Sequence, residues 1–149
     1  MDNASVVSLL NGLIETSLDG ESGLRECVDD LQSAHFRRNI DLYAQHCALA
    51  ANELQQLVRA MGSDPCASGT VSGAVRRSWA GLKSSVVRRD DATILSHCEH
   101  GERRAQQHYR EVLSQDLPAN VRLIVERQFL GVQRDRDEVK AMCLQARVV

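Results

Sequence analysis

The sequence predicts an all-α protein: a four-helix bundle of two antiparallel hairpins, joined by one long crossover that carries a short helix. Three observations carry that prediction. Apolar residues recur at alternating steps of three and four through most of the 149 residues, the spacing of helices that each bury one stripe. Aromatic residues are only 3% and there are two prolines, whereas a sandwich or barrel wants aromatic and β-branched residues and frequent turns. Of the three breaks in the helical pattern two are short, and one spans about 29 residues, too long for a tight hairpin turn.

The first helix is expected from about Asn3 to Leu31, capped by Asp2 or Asn3, with the seam Val6, Leu10, Leu13, Ser17, Gly20, Leu24 and Cys27. After a break at Ser33, the second runs from Ala34 to Met61. Its seam of Phe36, Ile40, Tyr43, Cys47, Ala50, Leu54, Leu57 and Met61 keeps an unbroken a/d pattern, and Gly62 ends it as an αL cap. In the crossover, Val71, Val75, Trp79, Leu82 and Val86 at helical spacing predict a shorter helix, capped by Ser68 or Thr70. The third long helix spans Asp91 to Ser114, with the seam Leu95, Cys98, Glu102, Ala105, Tyr109 and Val112. Leu117–Pro118 breaks the chain, and Pro118 sits near the first turn of a fourth helix with the seam Val121, Val125, Gln128, Val132, Asp135, Val139 and Met142.

Helices of about 24 to 29 residues are about 36 to 43 Å long, and none can hide its stripe alone. Short connections make each consecutive pair an antiparallel hairpin. A single long crossover, here about residues 62–90, is the layout of ferritin-like bundles; a cytokine bundle needs two. The whole of 1–149 is expected to form one domain.

Net charge is −2, hydrophobic residues are 43% and charged residues 26%, which gives no global reason to bind nucleic acid. No apolar run approaches a membrane span, and the first residues show no secretory pattern, so a cytoplasmic protein is expected. The crossover is locally basic: from Cys66 to Arg89 there are Arg and Lys but no acid. Arg76, Arg77 and Lys83 are therefore candidates for an anion-binding surface. Cys27, Cys47, Cys66, Cys98 and Cys143 are odd in number and lack metal-ligand spacing, so they read as reduced thiols. Cys66, in a Pro/Ser/Gly loop, is expected to be the most exposed of them.

The chemistry-bearing departures are polar residues on apolar seams: Ser17, Glu102, Gln128 and Asp135, with Glu21, His46, Glu53 and Glu99 on the flanks. In a bundle with one long crossover they fall at one middle depth. An unpaired buried carboxylate costs several kcal/mol or takes up a proton, so Glu102 needs a metal, a cation such as Arg136, or a hydrogen-bonded neighbour. A di-iron site needs a Glu from each of two helices and Glu-x-x-His from the other two. No Glu-x-x-His occurs; the nearest echoes are Glu53-x-x-Gln56 and Glu99-x-x-Glu102. His97 and His100 point away from the Glu99–Glu102 face, and Glu126 falls on the outer face of its helix.

Several stretches together carry a resemblance: LNGLIETSLDGESGLRE from Leu10 to Glu26, NELQ from Asn52 to Gln55, SGTVSGAVRRSWAGLK, ILSHCEHGERRAQQHYREVL, and LPANVRLIVERQF followed by GVQRDRDEV. The chain resembles, nearly end to end, a family of uncharacterised bacterial proteins of unknown function in the ferritin-like superfamily. The resemblance implies the four-helix bundle with its long second connection, and no activity. It also implies acidic family positions at Glu53, Glu99, Glu102 and Glu126. Arg136 stands where relatives are expected to carry His, and Arg103 where an acid is common.

Two readings of function follow. The first is a non-enzymatic bundle with a structural, interaction or stress-related role and no cofactor. The second is a carboxylate-liganded metal protein, ferroxidase-like or storing iron or manganese, with Glu21, Glu53, Glu99, Glu102 and Asp135 as candidate ligands. A homodimer is allowed by outer leucines such as Leu9 and Leu49.

Overall fold

Local chemistry sets each helix boundary. The Asp2 carboxylate accepts the Ser5 N–H at 2.8 Å and starts α1, Asn3–Asp30. The backbone turns extended at Leu31, and the Ser33 hydroxyl accepts the Phe36 N–H at 3.3 Å to start α2, Ala34–Ala60. Gly62, at φ 81, follows α2 in the left-handed region that a side chain disfavours. Asp90 accepts the Thr93 N–H at 2.9 Å to start α3, Asp91–Leu113. The Pro118 carbonyl accepts the Arg122 N–H at the start of α4, Ala119–Val148. The computed structural model describes residues 1–69 and 90–148, the last by its backbone alone. The predicted crossover helix, and with it Arg76, Arg77 and Lys83, lies outside the described residues.

These four helices form an all-α bundle, with no strand among the described residues. The pairings α1–α2, α3–α4 and α1–α3 are close, and α2 meets α4 more loosely. The cross-helix bonds give the directions. Thr16 meets His108 while Cys27 meets Cys98, so α1 and α3 are antiparallel; Tyr43 meets Glu138 while Glu53 meets Gln128, so α2 and α4 are too. The turn between α1 and α2 is fastened to the start of α3, because the Asp91 carboxylate accepts the Gln32 and Ser33 N–H groups at 2.8 and 3.0 Å.

The core is divided. One apolar cluster holds Leu24, Cys27, Leu31, Ile40, Tyr43, Ile94, Leu95, Cys98, Val139 and Met142. The other holds Val6, Leu10, Leu13, Ile14, Leu54, Val58, Tyr109, Val112, Val121 and Val125. The seams of α1, α3 and α4 lie where the spacing puts them, except that Gly20, Ala105 and Val132 are only half-buried and Gln106 is buried beside Ala105. That of α2 is shifted: Ala44, Ala51 and Val58 are buried, while Cys47, Ala50 and Leu57 are only half-buried. The looser α2–α4 pairing lets α2 turn its small residues inward toward α1.

Candidate functional site: the polar layer at mid-bundle

Between the two apolar clusters the seams carry Ser17, Glu102, Gln106, Gln128 and Asp135, all buried. Their side chains reach the interior because each occupies an inward step of its helix, in register with the apolar residues above and below. A cleft of about 1290 Å³ crosses this level and is lined by residues of all four helices, Ser17, His46, Glu102, Tyr109 and Asp135 among them.

Most of the layer is internally bonded. Tyr109 donates its hydroxyl proton to Gln128 Oε1 at 2.8 Å, and Gln128 Nε2 donates to Glu53 Oε1 at 2.7 Å. Arg127 pairs with the other oxygen of Glu53. Nearer the α1–α2 turn, Arg136 donates through Nε to Glu99 Oε1 at 3.2 Å and through Nη1 to Gln106 Oε1 at 2.7 Å. Arg103 adds a second cation to Glu99 at 2.8 Å. Although burial opposes ionisation, these two guanidinium groups hold the Glu99 carboxyl below its ordinary value. The His46 ring nitrogen Nδ1 is hydrogen-bonded to Asp135 Oδ2 at 2.7 Å.

Glu102 is the exception. It is 6% exposed, and no side chain hydrogen-bonds or ion-pairs with it among the described residues. Burial first, and the Asp135 charge second, push its carboxyl up to about 8, so at neutral pH it is mostly a neutral acid. Asp135 is also raised by burial, with the His46 contact opposing. Its Oδ1 is buried without a hydrogen bond, and Arg134 Nε lies 3.6 Å away.

The five candidate ligands therefore do not converge. Glu21 pairs with Arg25 at 2.9 Å on the α1–α2 flank. Glu53, Glu99 and Asp135 are already engaged, and only Glu102 is not. Among the described residues no three His, Cys, Asp or Glu side chains are placed to hold one ion. The metals that a ferritin-like layout implies do not fit this donor set: a permanently charged guanidinium, Arg136, is bonded to Glu99, one of the candidate ligands, and to Gln106 beside it.

Arg136, one of the partners the sequence allows for Glu102, bonds Glu99 and Gln106 instead, two acceptors within its reach along α3. Gln106 itself escapes the sequence reading, which places Ala105 on the seam one step away. Cys66 is half-buried rather than open: its N–H donates to Asn11 Oδ1 and its carbonyl accepts from Gln55, which draws the loop onto α1 and α2. His97, His100 and Glu126 are exposed as expected.

The family profile described as "Domain of unknown function (DUF2383)" matches residues 5–115. The fold is similar to that of a mutant of Mycobacterium smegmatis Dps1, a ferritin-like protein, with a TM-score of 0.77 at 17% identity, over 95% of this chain and 96% of that one. Comparison with curated proteins finds no match. Among the described residues no helix is long and apolar enough to cross a membrane.

Proposed function

The chain belongs to the DUF2383 family, and from that premise we propose a non-enzymatic helical-bundle protein whose polar layer is structural. It works through its outer surface and by self-association, in a structural or stress-related role. The observation that carries this reading is the engagement of Glu53, Glu99 and Asp135 by Gln128, Arg136 and His46, which leaves Glu102 and one oxygen of Asp135 as the candidate donors without a hydrogen bond among the described residues. The homodimer is supported by exposed leucines at heptad spacing on the helices that meet loosely: Leu42 and Leu49 on α2, Leu123, Leu130 and Leu144 on α4. Five cysteines without a disulfide fit a reducing bacterial cytoplasm.

The test is elemental analysis of protein grown with iron, manganese and zinc and then dialysed. The expected result is well under one metal per chain in an intact helical fold. About one or two metals per chain, lost in Glu102→Gln, would overturn this reading and establish the ferroxidase-like or storage alternative. Light scattering tests the assembly: a dimer mass is expected, falling to a monomer when Leu49 and Leu130 are both changed to Glu.

A further inference from the structure

Cys27 on α1 and Cys98 on α3 face each other across the close α1–α3 seam, with their sulfurs 2.9 Å apart. They are 1% and 3% exposed, and both line the mid-bundle cleft, so a small solute in the cleft reaches them while a bulky one does not. A disulfide has its sulfurs at about 2.05 Å, so closing the gap needs less than about 1 Å of movement, within the reach of side-chain rotation. Neither sulfur is tied to a carbonyl or a cation; Cys98 Sγ bonds Cys27 Sγ itself. We propose that Cys27 and Cys98 form an oxidisable dithiol, a modification site that a small hydroperoxide converts to a disulfide bridging α1 and α3.

The chemistry balances in two steps. A thiolate of the pair attacks the terminal oxygen of the hydroperoxide: an S–O bond forms, the O–O bond breaks, and the remaining alkoxide or hydroxide leaves as alcohol or water with a proton. The second thiol then attacks that sulfur: the S–S bond forms, the S–O bond breaks, and hydroxide leaves as water with the second thiol's proton. The two sulfurs lose two electrons and the peroxide gains them. The Cys27 contact and burial push the Cys98 thiol well up, so the reaction is slow at neutral pH and quickens in alkaline solution. The bridge joins residues of opposite hairpins, so it closes a loop containing all of α2 and the crossover.

The experiment treats the full chain with hydrogen peroxide at pH 8, blocks the remaining thiols under denaturing conditions, and reads intact mass and a non-reduced peptide map. Expected are loss of two of the five thiols, a mass lower by about two units before blocking, and a Cys27–Cys98 peptide pair that dithiothreitol releases. The oxidised protein should melt roughly 10 °C higher than the reduced one, since a long loop is closed. Cys98→Ser should abolish both the mass loss and the peroxide-dependent rise in melting temperature. Five surviving thiols, a bridge through Cys47 or Cys66 instead, or oxidation of Cys27 and Cys98 to sulfinic acids would each overturn the proposal. The wild-type peptide map decides the matter even if the Ser variant fails to fold.

Discussion

Glu102 sits where a carboxylate is least at home, in a layer whose other acids have found partners. Its carboxyl, pushed up to about 8, titrates far above the value it has in the unfolded chain. Below about pH 4.5 both folded and unfolded forms are protonated, and the group costs nothing extra. As pH rises toward 8 the unfolded chain releases a proton that the folded chain keeps, so stability falls, and the loss is complete above about pH 8. Asp135, also raised by burial, acts in the same direction at lower pH. The wild-type protein should therefore lose stability between about pH 4.5 and pH 8, on the order of 5 kcal/mol from Glu102 when the whole shift is realised. Glu102→Gln, which copies the shape of the neutral acid, should flatten that dependence and be the more stable protein at pH 9. Urea unfolding across the range checks it; parallel profiles for the two proteins would mean that Glu102 ionises as an ordinary surface acid.

At the scale of an element, the glycines divide by backbone and by space. Gly62 closes α2 with φ 81, so Gly62→Ala should cost about 1 kcal/mol through left-handed strain. Gly101 lies within α3, and an added Cβ there meets nothing within 4 Å, so Gly101→Ala should add about 1 kcal/mol of helix propensity. Opposite shifts in denaturation midpoint with equal m-values are the expected result; equal shifts would mean that context outweighs backbone preference. Helix boundaries are readable from the sequence, and so are the Asp2 and Gly62 caps, because these residues act within a few positions of themselves; the Ser33 and Asp90 caps emerge only in the structure. The buried face of α2 is not: Ala44 and Cys47 are both acceptable on a seam, and the choice between them depends on how far α4 stands away. The depth of Ser17, Glu102, Gln128 and Asp135 is likewise legible, being fixed by period and connection length. Who bonds whom is not, because Arg136 reaches several carboxylates along α3 and only side-chain geometry selects Glu99 and Gln106.

At the scale of the whole molecule, similarity to a Dps1 fold at 17% identity shows how little of the sequence the bundle needs, provided the apolar stripes stay in register. What differs is free to be polar, and here the polar residues divide the interior into two apolar clusters. Leu10 lies in one and Ile40 in the other, each 0% exposed, and truncating either to Ala should cost about 2–5 kcal/mol. No side chain is shared between the two clusters, so the double substitution should cost the sum of the singles to within about 0.5 kcal/mol. A larger discrepancy, measured in a double-mutant cycle, would mean that strain crosses the middle of the bundle. The divided interior has a consequence for how sequence change accumulates. Each end of the bundle can repack on its own, so substitutions at one end set no terms for those at the other. The bonded middle is different: Arg136, Glu99 and Gln106 hold one another, and a change in any of them alters what the other two can tolerate.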